Sequence, residues 1–152
     1  ANNIHSQLER INVPTQNIMM EVTEHNIIHN LEDAILRMEE LIHSGISFSL
    51  DDFGTGYSSL AHLKNLPVNH IKIDRSFVRD ICEDPGDQAM VASILALSKH
   101  LGLEVVAEGV EALEQFHLLK QYGCKIYQGY YFSEPLSADN MTDYLGVSST
   151  EA

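Results

Sequence analysis

Five short apolar runs, at residues 17–23, 46–51, 69–74, 103–108 and 124–129, alternate along the chain with stretches whose apolar residues recur at helical spacing. Between the first two runs, Leu31, Ile35, Met38, Leu41 and Ile42 lie on one helical stripe, with Gly45 behind them as a C-terminal cap. Met90, Ile94, Leu97 and Leu101 repeat the pattern ahead of Gly102, and residues 112–122 repeat it ahead of Gly123. A shorter helix is expected over 58–66, stopped by Pro67, with terminal helices over 2–11 and 138–145. Residues 79–88, which include Glu83-Asp84-Pro85-Gly86, read as a solvated loop. Strands that alternate with helices and are apolar on both faces imply an α/β fold with a parallel sheet.

With 152 residues and 44% hydrophobic content, the chain can build one domain around a real core. It begins at Ala1 rather than Met, as a processed chain or a piece cut from a longer one would. No run approaches the roughly 18 apolar residues that span a bilayer. Nor is there a basic, apolar leader. Cys82 and Cys124 form no CxxC pair and read as reduced thiols of a cytoplasmic protein. Asp and Glu outnumber Lys and Arg by 22 to 9, a formal charge of −13. That balance argues against a DNA or RNA polymer as partner, because phosphate grooves are lined with Lys and Arg. A small anion held through metal ions remains compatible with it.

The candidate strands share a second property: each ends on polar residues. Glu21 and Glu24 close the first, Asp51 and Asp52 the second, Lys72 and Asp74 the third, Glu108 and Glu111 the fourth, and Gln128 the fifth. In parallel β/α folds the C-terminal strand ends form the active face. Adjacent carboxylates such as Asp51 and Asp52 repel and are costly to desolvate, so a fold that gathers them supplies a cation. Hard oxygen donors without a Cys–His cluster point to Mg²⁺ or Mn²⁺ rather than structural zinc. Two such ions about 4 Å apart would activate water for displacement at phosphorus. Lys72, within Ile71-Lys72-Ile73-Asp74, suits either the orientation of that water or a salt bridge to a neighbouring carboxylate.

Other patterns are weaker. Asp52-Phe53-Gly54 spells a kinase metal motif, but no HRD-type loop accompanies it. Gly54-Thr55-Gly56 lacks the Gly-Lys-Ser/Thr of a P-loop and reads as a mobile loop beside a ligand. His25 and His29 are spaced i, i+4 without the glutamate of HExxH, and read as surface histidines. Tyr127, Tyr130, Tyr131 and Phe132 could stack on a base, although an aromatic cluster beside a strand is more often core.

Glu21-Val-Thr-Glu24, the run from Asp51 to Leu60, Ile71-Lys-Ile-Asp74, Ala107-Glu-Gly-Val-Glu111 and the run from Gln128 to Pro135 resemble, in order and spacing, the bacterial EAL-domain phosphodiesterases. The resemblance implies a modified TIM barrel that hydrolyses cyclic di-GMP to linear pGpG with two Mg²⁺ or Mn²⁺ ions. It implies Glu21, Asp51, Asp52 and Glu108 as metal ligands, with Asp52 also at the reacting centre. By the same resemblance Lys72 contacts the catalytic water, and Glu24 anchors the loop from Asp51 to Leu60, which is tied to dimerisation. Asp74, Glu111, Gln128 and Pro135 match substrate-binding positions.

A complete TIM barrel needs roughly 250 residues, and five strands of eight are present. The family's Glu-Ala-Leu strand motif and an asparagine strand that supplies a further ligand are expected to be missing. The whole chain, 1–152, is therefore expected to be the C-terminal portion of one EAL domain, with regulatory domains elsewhere in its parent. Alone, it is expected to be inactive and to self-associate through its open edges or the 51–60 loop. The competing class is a non-catalytic module that binds nucleotide or protein.

Overall fold

The computed structural model describes residues 2–11, 13–23, 26–27, 30–55 and 63–148. Among these residues, five parallel strands form one sheet in the order β1-β2-β3-β4-β5: β1 Met19–Thr23, β2 Ser47–Phe53, β3 His70–Ile73, β4 Glu104–Glu108 and β5 Ile126–Gln128. Helices α1 Asn2–Ile11, α2 Leu31–Ile42, α3 Arg75–Arg79, α4 Pro85–Leu101, α5 Leu113–Gln121 and α6 Ala138–Ser148 accompany it. Every described strand pairs with its sequence neighbours. All five sequence-predicted strands are present. The first begins later than expected because Thr15–Asn17 closes a 3-10 turn.

Register sorts the strand side chains onto two faces. On one, Val22, Leu50, Ile71 and Val105 align across the sheet, with Ile73, Ala107 and Tyr127 in the next row. Ile71, Ile73 and Ala107 are fully buried there, packed with Val78, Val91, Ile94 and Leu119 from the helices. Sealing a side chain of this kind from water stabilises by about 1.5–3 kcal/mol, so this layer holds the helices on the sheet. The opposite face is mixed, with Met19, Val106 and Ile126 set among its polar groups. It carries Glu21, Ser49 and Asp51, then His70 and Lys72, then Glu104 and Glu108, and finally Gln128.

Strict alternation would put Asp52 on the apolar face, two residues after Leu50. Instead the β2–β3 register slips by one residue between Leu50 and Phe53. Asp52 takes the left-handed conformation, φ 55°, the only non-glycine among the described residues to do so. This bulge turns Asp52 to solvent and returns Phe53 to the core opposite Ile73. Aspartate tolerates that backbone conformation better than most residues.

Two expectations about the connections need correcting. Residues 79–88 are not one long loop: α4 already starts at Pro85, capped by Asp84, whose carboxylate accepts from the Gly86 N–H at 2.6 Å. The short helix α3 was not anticipated. Of the helix expected over 58–66, residues 58–62 lie outside the described residues, as does the 56–60 part of the glycine loop.

After β5 the chain turns back against the β4–α5 connection so tightly that a Cβ on Gly129 would sit 2.1 Å from the Val110 carbonyl oxygen and 2.3 Å from its nitrogen. Gly102, the left-handed cap of α4, has open space around it. Gly102→Ala is expected to cost roughly 1–2 kcal/mol from backbone strain alone. Gly129→Ala must also move backbone, and is expected to cost more than about 2 kcal/mol. Thermal melts of the two variants check the order, at about 2–4 °C per kcal/mol for a chain of this size.

Candidate metal centre

Three carboxylates from three strands meet one ammonium group at the C-terminal rim of the sheet. Lys72 Nζ lies 2.6 Å from Glu108 Oε1, 2.7 Å from Glu21 Oε1 and 3.4 Å from Asp51 Oδ1. The Lys72 side chain is only 7% exposed, while Glu21 is about half exposed and Asp51 and Glu108 are largely covered. Burial disfavours the Lys72 ammonium, but hydrogen bonds to Glu108 and Glu21 and the charges of Glu108 and Asp51 outweigh it, holding its pKa above the usual lysine value. Lys72 is therefore charged at neutral pH. Burial also raises the Glu108 pKa, with repulsion from Asp51 and Glu21 adding to it and Lys72 opposing.

Asp52 stands apart from this cluster. The bulge leaves its carboxylate exposed and its N–H donating to Asp51 Oδ1 at 3.1 Å. Partial burial and the charges of Asp51 and Asp74 raise its pKa, against a pull from Lys72. Asp74 is committed elsewhere: it is the N-cap of α3, accepting from the Ser76 N–H at 2.9 Å and from the Ser76 hydroxyl. Glu111 and Gln128 are exposed on the same rim, with Gln128 the register partner of Glu108. Pro135 lies in the exposed segment after β5. Glu24, His25, His29 and the Gly56–Leu60 stretch lie outside the described residues.

The tripeptide Glu-Ala-Leu, expected to be absent, does occur at Glu111–Leu113. It is not on a strand. Ala112 is the N-cap of α5, and the Glu111 and Ala112 N–H groups both donate to Gln115 Oε1, at 2.8 and 2.9 Å. Gln115 Nε2 in turn donates to the Arg79 carbonyl at 3.0 Å, tying α5 to the end of α3. Sequence reasoning missed Gln115, since a glutamine three residues past an alanine carries no capping signal. The α3 cap was missed as well, although an aspartate two residues before Ser76 is a capping signal.

Below the rim, on the same face, His70 Nε2 lies 2.9 Å from Glu104 Oε2. The aromatic residues after β5 are largely satisfied by each other. Phe116 stacks on Tyr131 at 5.9 Å and meets Tyr127 and Phe132 edge-on at 4.9 and 5.8 Å. Tyr130 alone of the four expected residues is mostly exposed. Both cysteines are free thiols, Cys82 exposed and Cys124 buried.

Glu21, Asp51 and Glu108 are hard oxygen donors already arranged around a cation, so their chemistry fits a divalent ion. Among the described residues, no three His, Cys, Asp or Glu side chains stand at metal-cage spacing while Lys72 fills the centre.

A family model for the EAL domain matches residues 1–135. This chain belongs to the EAL domain family. It is 40% identical over 142 residues to the cyclic di-GMP phosphodiesterase NbdA of Pseudomonas aeruginosa, covering 93% of this chain and 18% of that protein. The chain spans about a fifth of the length of this and several other curated relatives it matches. Its fold superposes on the MucR phosphodiesterase solved in complex with c-di-GMP, with a TM-score of 0.88 and 37% identity over 92% of this chain and 57% of that one. It also superposes on the Klebsiella pneumoniae BlrP1 manganese/cyclic-di-GMP complex, with a TM-score of 0.82 and 35% identity over 88% of this chain and 34% of that one. The α/β architecture is thus that of TIM-barrel-like EAL domains.

The Asp74 cap yields a pH prediction. Partial burial opposes its ionisation, but the Ser76 hydroxyl, the Ser76 and Arg75 N–H groups and the Arg75 charge outweigh it, lowering its pKa from 3.8. A depressed carboxyl contributes stability above its unfolded-state value and loses it as pH falls through the folded-state value. Asp74→Ala is expected to cost about 1 kcal/mol near neutral pH. The gap to the wild-type chain should narrow in urea titrations as the pH is taken below 3.8.

Proposed function

We propose that the chain is the C-terminal portion of an EAL domain and carries part of the metal centre with which the whole domain hydrolyses cyclic di-GMP to linear pGpG. The observation that supports this most is the convergence of Glu21, Asp51 and Glu108, from three separate strands, on one point at the rim. Relatives named as cyclic di-GMP phosphodiesterases, and solved complexes of such proteins with the nucleotide and with manganese, favour this substrate and a divalent ion.

In this reading Glu21, Asp51, Asp52 and Glu108 hold Mg²⁺ or Mn²⁺, and further donors from the rest of the domain complete a two-ion site. A divalent ion held there would supply Lewis acidity, stabilising charge at phosphorus and lowering the pKa of bound water. Lys72 orients that water and offsets negative charge as one phosphodiester bond opens to a 5′-phosphate and a 3′-hydroxyl. The bulge matters here because it separates two adjacent carboxylates: Asp51 contacts Lys72, while Asp52 is turned to solvent. In the same reading Glu111, Gln128 and Pro135 contribute to substrate binding, and Glu24 anchors the loop from Asp51 to Leu60.

Calorimetry with Mn²⁺ alone is expected to show binding to this chain, weakened at least about tenfold by Glu108→Gln. Chromatography of cyclic di-GMP incubated with the chain and Mn²⁺ is expected to show little or no pGpG. A longer protein that adds the upstream strands should produce it. Rapid metal-dependent turnover by the 152 residues alone would overturn the partial-site reading. Nucleotide binding without hydrolysis by the longer protein would make the domain a receptor instead.

A further inference from the structure

The Lys72 ammonium lies 2.6 Å from Glu108 and 2.7 Å from Glu21, with Asp51 at 3.4 Å, so its charge is directed into the carboxylate ring. The same three carboxylates are the donors that a divalent ion would use, and they come from β1, β2 and β4 while Lys72 comes from β3. One centre therefore has two claimants, a tethered monovalent cation and a free divalent one. We propose that Lys72 is the resident cation of the metal-free site: it holds the carboxylate ring together until a metal ion takes its place, and only then is it free to serve the attacking water. This inference rests on the metal-centre reading above and adds to it an order of events and an antagonism between Lys72 and the metal.

The physical case is one of charge and tether. Three carboxylates around one ammonium leave two uncompensated negative charges, so a second unit of positive charge at the same point is favoured electrostatically. Without any cation, three carboxylates gathered from three strands would repel and splay the rim. Asp51 and Glu108 are too well covered for water to screen them fully. Lysine suits an exchangeable occupant because its charge rides on a flexible four-carbon stem, anchored at a buried strand position but free to swing at the tip. A ring that is closed by Lys72 also explains why the carboxylates do not stand at cage spacing among the described residues. Reciprocity follows: whatever Lys72 gains from the ring, the incoming ion must offset, so the side chain lowers metal affinity while preserving the site's shape.

The test compares the wild-type chain with Lys72→Met, using calorimetric titration of Mn²⁺ and thermal unfolding in chelator and in saturating Mn²⁺. In chelator, Lys72→Met is expected to melt about 6 °C or more below wild type, as loss of one partner from a buried ion cluster implies. Saturating Mn²⁺ should close most of that gap. The variant should bind Mn²⁺ at least about tenfold more tightly than wild type, an outcome that a merely structural or water-orienting lysine would not give. Equal or weaker Mn²⁺ binding by the variant overturns the exchange while leaving the metal-centre reading intact. So does an unchanged melting point in chelator. Absence of Mn²⁺ binding by both proteins overturns both readings. Should Lys72→Met fail to fold in chelator, recovery of structure on adding Mn²⁺ is the expected result. Lys72→Gln, whose amide still donates to the ring without charge, then supplies the affinity comparison. Failure of both variants to fold even with Mn²⁺ makes Lys72 a packing residue and sinks the proposal.

Discussion

Three carboxylates held around a single buried ammonium are the constraint on which the polar rim depends. Glu21, Asp51 and Glu108 belong to strands far apart in sequence, and nothing in their local structure would bring like charges together. What does so is the hydrophobic layer beneath: Ile71, Ile73, Ala107 and Leu50 are sealed against the helices, which fixes the strands side by side and leaves their other face no choice of neighbours. Burial of apolar surface on one side thus sets up electrostatic repulsion on the other, and Lys72 offsets it. An ion cluster of this kind is weak evidence for net stability, since desolvation consumes much of the attraction. Its value lies in holding a charged rim in one arrangement.

The bulge at Asp51 and Asp52 shows the two faces negotiating. A strand cannot present adjacent residues to the same side, and a buried carboxylate on the apolar face would be costly. One extra residue in the left-handed conformation resolves this, at the cost of local backbone strain. Strain of that sort at a strand end, next to charged groups, is what a site tolerates when side-chain placement matters more than regularity. Gly129 marks a second close approach, where the chain after β5 presses on Val110 and draws Gln128 alongside Glu108.

Much of this was legible from the residues. Period and β-branching marked all five strands, and capping glycines marked the ends of α2, α4 and α5. The rim residues Glu21, Asp51, Lys72 and Glu108 stood out because each interrupts or closes an apolar run. Other features were not legible. The bulge leaves no signature in Leu50-Asp51-Asp52-Phe53, which reads equally well as an unbroken strand. Gln115 acts through a 36-residue separation to Arg79, beyond the reach of any local pattern. The tripeptide Glu111-Ala112-Leu113 shows the opposite hazard, since its letters match a metal-binding motif while its backbone starts a helix.

Local pattern was enough for the five strands and the longer helices, for the apolar layer that holds them, and for which residues would close each strand. These follow from short-range periodicity and turn chemistry, and both are written within a few residues of where they act. Tertiary structure decided which of the strand-end groups meet. Glu21, Asp51 and Glu108 gather on Lys72, Asp52 turns to solvent, and Asp74 is spent as a helix cap. Those outcomes depend on register, on one extra backbone residue, and on the competition between a charge's partners in space. Such quantities exist only once the strands lie side by side.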